Sequence, residues 1–573
     1  MPDEAHNSKP ENAASENIYI TGDNLDALKH LLKSYSGSIK CIYIDPPYNT
    51  GNDGFVYSDS FNFTAAQLEQ RLGVDEEKAA RILDLTSRRS ASHSAWLTFM
   101  ASRLFLVRDL LTDDGVIFIS IDDNEQANLK LLCDSIFGEE NFVAQFNWRK
   151  KTGANDEKDI ATMTEYIICY SKSKELSIAD NIWKRDETAI KKSRYTLSDE
   201  FVEERGKFYY DTLDRGGLQY SDSLNYGIKA PDGGIIYPNG RDKFVNDGWI
   251  WKWGKDKIEW GLKNKFLEFV PSNKSAASKY TIKYKVYEFV DNEGKRREQK
   301  GRAYSNLILS PINQQGNSDI KEIFNNQVPF SNPKPISLIK YLINTIKTYD
   351  SIILDFFSGS ATTAQAVMQL NAADKGRRKF IMVQLPEVTP QGSPARNAGY
   401  ATIDRIGMER IRRAADKIRE ENPLFAGKMD LGFKHFTLHS VARNTLDRLD
   451  KFDPHAALTD DDILKTFGRE TVLATWLVSD GYGFAAKPQE LRLAKYTAYT
   501  IGWHIYLLEG GNFDNNSMVA LIEKYGNDPA FNPTEIVAFG YSFNYEQTEM
   551  LRSNLRMLYD GAKHLKAELH IRY

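Results

Sequence analysis

Over residues 17–173 short apolar runs alternate with amphipathic stretches. Runs near 17–22, 39–44, 115–121 and 164–170 have the length of buried strands, and positions near 25–33, 93–111 and 125–136 repeat at helical spacing. This alternation predicts half of a doubly wound, mostly parallel α/β sheet. The pattern breaks over 174–330, where short strand-like runs such as KYTIKYKVYEF (279–289) lie among turns such as PDGG (231–234) and YPNG (237–240). It resumes over 331–390 with strands at 351–355 and 379–387, followed by a charged amphipathic helix at 405–421. From about residue 430 a further α/β-like region follows (TVLATWLVSDGYGF, AYTIGWHIYLL). The expected segments are a mobile polar arm (1–16), one sheet half (17–173), an inserted mixed domain (174–330), the second sheet half (331–425) and a C-terminal region (426–573).

The run Ile39–Ile44 ends in Asp45-Pro46-Pro47-Tyr48. The two prolines fix φ and bias the residue before each towards extended backbone, so the turn is stiff. Asp45 and the Pro46 carbonyl are both acceptors for an exocyclic NH2, and Tyr48 offers a flat face for a flipped-out base. Asp-Pro-Pro also serves as a plain turn after a strand, so the reading needs a second motif.

That motif is SIILDFFSGSATTAQAV (351–367): a strand ending at Asp355, a small-residue turn, then a helical pattern. Strand, glycine-containing turn and helix is how nucleotide-like cofactors are held at the carboxyl edge of a parallel sheet. The turn has one glycine, Gly359, and is not GxGxxG, which disfavours a pyrophosphate and suits S-adenosylmethionine. KFIMVQLPE (379–387) reads as the next strand, ending in Glu387, an acid suited to ribose hydroxyls or simply a surface glutamate. Asp23, after the strand at 17–22, caps the next helix or contacts the cofactor adenine; the two roles are compatible.

With these pieces in this order, the chain resembles the permuted β group of DNA amino-methyltransferases, and more closely the modification (Mod) subunits of type III restriction–modification systems. The likeness is carried by IDPPYNTGNDGFVYSDSF (44–61), residues 93–143, TEYIICYSKS (164–173), NPKPISLIKYLI (332–343) and the tail from RIGMERIRRAADKIREEN (405–422). It implies methyl transfer from S-adenosylmethionine to adenine N6 of double-stranded DNA, with Asp45, Pro46, Pro47 and Tyr48 catalytic. It implies Asp23, Lys334, Asp355, Phe356, Phe357, Ser358, Gly359 and Glu387 at the cofactor, and Tyr166 near the target base; in the loop 50–63 the aromatics Phe55, Tyr57 and Phe61 either pack the loop down or flank the flipped base. A homodimer and a nuclease–helicase (Res) partner are also implied, with the C-terminal region serving subunit contacts. Ala361 departs from the pattern, standing where many relatives carry a second glycine; it obstructs nothing unless φ must be positive there.

Composition adjusts this picture little. The 573 residues allow two or three domains. Three cysteines (Cys41, Cys133, Cys169) without a CxxC pair indicate a reducing compartment and no structural zinc. No apolar run approaches the roughly 20 residues that span a bilayer, so a cytoplasmic protein is expected. The net charge of −4 conceals a basic segment, Lys252 to Arg302, with 14 Lys or Arg against 7 Asp or Glu, while acids gather elsewhere, as at Asp460–Asp462. Trp249, Trp251 and Trp253 alternate at period two, the pattern of a buried strand face, though interleaved aromatics and cations also stack on bases. The cluster Asp122-Asp123-Asn124-Glu125 reads as structural, with an Asp or Asn able to cap the next helix, and not as a metal site, since chemistry on an amino group needs no metal. The rival readings are a cytosine-N4 enzyme, a methyltransferase acting on RNA or protein amide, and a DNA specificity subunit without catalysis. The absence of GxxxxGK[ST] disfavours an ATP-driven nuclease.

Overall fold

The structure, a computed structural model, describes all residues outside 51–90, 154–159, 187–193, 218, 274, 276, 298–301, 425, 440–463, 465–466, 561–564 and 573. Phe55, Tyr57, Phe61 and Asp460–Asp462 lie outside the described residues. The chain divides into two units, one of residues 1–183 and 305–573, the other of 184–304.

The larger unit is built on a nine-stranded sheet. Its strands are β1 (Ile18–Thr21), β2 (Ile39–Ile44), β3 (Leu111–Ile121), β4 (Phe142–Arg149), β5 (Thr164–Ser171), β6 (Leu307–Ile308), β7 (Ile352–Asp355), β8 (Lys379–Gln384) and β9 (Lys434–Thr437). They lie in the order β6-β4-β5-β3-β2-β7-β8-β1-β9. Only β5 runs against its neighbours; the other pairings are parallel. The interior strands are apolar at nearly every position because helices cover both faces of a parallel sheet. One face packs α3 (Asn24–Tyr35), α4 (Ala91–Leu110) and α5 (Gln126–Phe137) on Ile20, Ile42, Ile44, Ile119 and Leu354. The other packs α6 (Asn313–Ile323), α7 (Ile336–Asn344), α8 (Thr362–Asp374) and α9 (Ile403–Glu421) on Tyr19, Tyr43, Phe118, Ile353 and Met382. Residues 305–330, grouped by sequence pattern with the inserted segment, pack here through β6 and α6.

Three local expectations are corrected. The polar arm 1–16 is docked, forming two short helices, Glu4–Asn7 and Pro10–Ala13. Its polar groups cover the open edge of β9: Asn7 exchanges two hydrogen bonds with the His435 main chain, Asn12 Oδ1 accepts from Phe433 N, and Asp3 lies 2.9 Å from His435 Nδ1. A strand edge needs hydrogen-bonding partners, and an arm poor in apolar residues supplies them. β8 stops at Gln384, three residues before Glu387, because Pro386 cannot continue the ladder. Glu125, at the N-cap position of α5, does not cap with its side chain but turns it into the interior.

The smaller unit carries a three-stranded antiparallel sheet (Leu267–Pro271, Tyr280–Tyr287, Phe208–Thr212) around a core that includes Trp251 and Trp253. Trp249 is half-buried, its indole against Gly216. Within the larger unit, Gln489–Arg572 adds a separate five-stranded sheet with its own core. Among the described residues no helix is long and apolar enough to cross a membrane.

The turn between β7 and α8 ends at Ala361, which is buried at φ 60°, ψ 40°. Positive φ is therefore required there, and a Cβ in the left-handed region costs about 1–2 kcal/mol. Ala361→Gly is expected to raise stability by up to ~1 kcal/mol after the larger chain entropy of glycine is subtracted. Denaturant unfolding of the two proteins measures it.

Candidate active site

The parallel strands bring their carboxyl ends to one edge of the main sheet, and β5, running the other way, begins there. Asp23 follows β1, Asp45–Tyr48 follow β2, Asp355–Gly359 start at the end of β7, and Glu387 lies beyond β8. β2 and β7 are direct neighbours, so the two motifs leave the sheet side by side.

Lys334, just before α7, joins the Asp45–Tyr48 turn. Its Nζ donates to the Tyr48 hydroxyl at 2.7 Å and lies 3.0 Å from Asp45 Oδ1 and 3.3 Å from Glu165 Oε2. Tyr48 in turn donates to Asp45 Oδ1 at 2.6 Å. Lys334 is only 11% exposed, so its charge needs those partners. Burial alone would pull the ammonium down, but the Asp45 and Glu165 carboxylates outweigh it and leave the pKa raised. Burial, with the same two carboxylates, pushes the Tyr48 phenol well above its usual range, so it donates rather than ionises. Both bonds to Asp45 fall on Oδ1; among the described residues no donor is bonded to Oδ2.

The backbone of the turn is held separately. Trp96 Nε1 donates to the Pro47 carbonyl at 2.6 Å, and among the described residues the Pro46 carbonyl has no such donor. Asn49, at φ 59°, donates to Glu125 Oε1 at 2.7 Å. Fully buried Glu125 also accepts from Asn128 at 2.6 Å and lies 2.6 Å from His93 Nδ1.

On the cofactor-like turn, Asp355 serves its own loop, accepting from Phe357 N at 3.1 Å and Thr363 Oγ1 at 2.6 Å. Gly359 N donates to Gln384 Oε1 at 2.6 Å, and a Cβ on Gly359 would meet Phe330 at 3.1 Å. Phe356 is buried, with its carbonyl bonded to Asn24; Phe357 is half-buried, 5.9 Å from the Phe99 ring. The buried Ser358 takes main-chain position from Val383. Buried Arg410 donates to Ser360, Thr362 and Gln365 and so clamps α9 to the turn; burial pulls its pKa down to about 10. Asp23 caps α3 through Leu25 N and Asp26 N and lies 3.7 Å from Arg103. The Glu387 side chain is exposed.

Tyr166 is the next residue along β5 from Glu165. Alternation along β5 sends it to the other face, where its hydroxyl donates to Asp123 at 2.7 Å, and sends Glu165 towards Lys334. Sequence reasoning passed over Glu165, Trp96, Gln384 and Arg410, and took Glu125 only as part of a structural cluster before a helix. For Glu165 a signal existed: it is an acid on the inward register of a strand whose next inward residues, Ile167 and Cys169, are apolar.

Burial raises the Asp355 carboxyl to about 7, against the two hydrogen bonds that lower it, with the Asp45 charge adding to the rise. The folded state therefore binds a proton more tightly than the unfolded chain. The group's contribution to stability is full below the unfolded pKa of ~4 and is lost as pH rises through about 7. Asp355→Asn is expected to lose less stability than the unaltered chain between pH 4 and 8, by on the order of a few kcal/mol. Urea unfolding across that range tests it; parallel pH curves would refute it.

A family model described as DNA methylase, of the N6/N4 type, matches residues 39–410, which include both motif-bearing strands. A second, the type III R-M EcoP15I C-terminal domain, matches residues 467–565. The Mod subunit of the type III restriction-modification enzyme StyLTI of Salmonella typhimurium is 36% identical, over 97% of this chain and 85% of its own. The EcoP15I Mod subunit of Escherichia coli is 34% identical over 100% and 87%. The EcoPI Mod subunit of Escherichia phage P1 is 33% identical over 100% and 88%. With both families matched in sequence order and the relatives aligned over most of their length, the chain belongs to the N6/N4 DNA methylase family, among the Mod subunits of type III restriction–modification enzymes, and is a site-specific DNA methyltransferase.

Proposed function

We propose that the chain methylates N6 of a flipped-out adenine in double-stranded DNA, using S-adenosylmethionine, as the modification subunit of a type III system. The observation that carries this is the Asp45–Tyr48 turn emerging beside the Asp355 turn on adjacent parallel strands. Type III Mod relatives and the Asp that opens the tetrapeptide favour adenine over cytosine N4. The residues present fit the cofactor: main-chain groups of the 356–361 turn for its amino-acid end, and the carboxylates of Asp23 and Glu387, in the segments that follow β1 and β8, for adenosine hydrogens. A Res partner and a homodimer, with Gln489–Arg572 as contact domain, complete the reading.

S-adenosylmethionine supplies an electrophilic methyl group. The chain's task is to present the amino nitrogen, a poor nucleophile because its lone pair is delocalised into the ring. Asp45 Oδ2 and the Pro46 carbonyl accept its two hydrogens in this reading, which lets the nitrogen pyramidalise and aim its lone pair. A nitrogen–carbon bond then forms as the methyl–sulfur bond breaks, with the electron pair staying on sulfur. The nitrogen is cationic until it loses a proton to solvent, and Asp45 stabilises that charge as it develops. Tyr48 keeps its hydroxyl on Asp45 and its ring for the extruded base.

Incubation with tritiated S-adenosylmethionine and non-host DNA, then nucleoside digestion and mass spectrometry, is expected to give N6-methyladenine; N4-methylcytosine instead would correct the base. Asp45→Ala is expected to abolish transfer while cofactor affinity, by calorimetry, stays within about threefold; substantial residual turnover would overturn the assignment. Tyr48→Ala is expected to reduce 2-aminopurine fluorescence enhancement at the target position, and an unchanged signal would remove the stacking role.

A further inference from the structure

We propose that Glu165 is a positioning residue for methyl transfer: it offsets the Lys334 ammonium held on Asp45, so that the Asp45 carboxylate keeps its negative charge for the amino nitrogen. The inference rests on reading Asp45–Tyr48 as the catalytic turn. Lys334 Nζ lies between the two carboxylates, 3.0 Å from Asp45 and 3.3 Å from Glu165. An Asp45 paired with that lysine alone would present a neutral ion pair to a nitrogen that becomes cationic, and would stabilise it little. Adding the second carboxylate gives the Lys334 ammonium a second countercharge, so Asp45 does not neutralise it alone; with Lys150, 3.5 Å from the other Glu165 oxygen, the four side chains are neutral as a set.

Glu165 is built into this position. It is nearly buried, its register opposite Trp148 on β4 sets its direction, and Lys150, at the end of the same hairpin, lies 3.5 Å from its other oxygen. Lys150 N donates to the Met163 carbonyl, closing the β4–β5 pair around the site. The three hydrogens of Lys334 are matched by three acceptors, Asp45 Oδ1, Glu165 Oε2 and the Tyr48 hydroxyl. Lysine thereby fixes Oδ1 and leaves Oδ2 to the base, while Glu165 cancels the charge that such fixing brings.

The test compares full-length wild type, Glu165→Gln, Glu165→Asp and the double variant Glu165→Gln/Lys334→Met in single-turnover methylation of non-host genomic DNA. Calorimetric binding of S-adenosylhomocysteine is measured in parallel. Glu165→Gln is expected to slow transfer about 10- to 100-fold with binding changed less than about threefold. Glu165→Asp, which keeps the charge, is expected to recover most of the rate, and the double variant to outpace Glu165→Gln because no uncompensated ammonium remains beside Asp45. Wild-type rate in Glu165→Gln, or a double variant no faster than it, would overturn the proposal. Should Glu165→Gln fail to fold, the double variant against wild type decides: within about tenfold supports charge cancellation, and a loss beyond about a hundredfold refutes it. Failure of the catalytic reading shows separately, as wild type yielding no methylated base.

Discussion

The carboxyl edge of the main sheet depends on one buried cation. Lys334 has left water, and a lone ammonium there would carry a penalty of several kcal/mol. The chain offsets it with two carboxylates and a phenol drawn from two segments, Asp45 and Tyr48 after β2 and Glu165 at the start of β5. Each of those groups is costly to bury alone as well, so the four are stable only together. The arrangement that makes Lys334 tolerable also fixes the Asp45 carboxylate and the Tyr48 side chain; under the proposed function this is the preorganisation that transfer onto a weak nucleophile requires.

The same logic recurs around the turns. Glu125 is buried and spends its oxygens on Asn49, Asn128 and His93, and so pins the backbone just after Tyr48. Arg410 is buried among hydroxyls and an amide, behind the small-residue turn. Asp355 is held in a site that favours its protonated form. Buried polar groups of this kind trade stability for a single geometry, and here they line the sheet edge where two loops must keep their shape. Ala361 adds backbone strain at the same place.

How far the chain was legible differs by element. The apolar runs at 18–21, 39–44, 352–355 and 379–384 were readable as strands because burial on both faces of a parallel sheet leaves no polar alternation to confuse them. The 1–16 arm was misread for the complementary reason. Its composition promised no core, but its role is to bond to an exposed strand edge, and edge complementarity leaves no periodic trace in sequence. Trp251 and Trp253 followed their period-two pattern into a core.

By itself the sequence determined the alternation of strands and helices, the stiffness of the Asp45–Tyr48 turn and the small residues of the 355–361 loop, all set by local propensity and sterics. Only the tertiary structure decided that β2 and β7, 310 positions apart at Asp45 and Asp355, are neighbours. It also decided that Glu165 and not Tyr166 faces Lys334, because which face of a strand meets which helix depends on register and chain direction. The sequence names the polar groups of the two turns; the pairing of buried charges between distant segments is a property of the packed sheet alone.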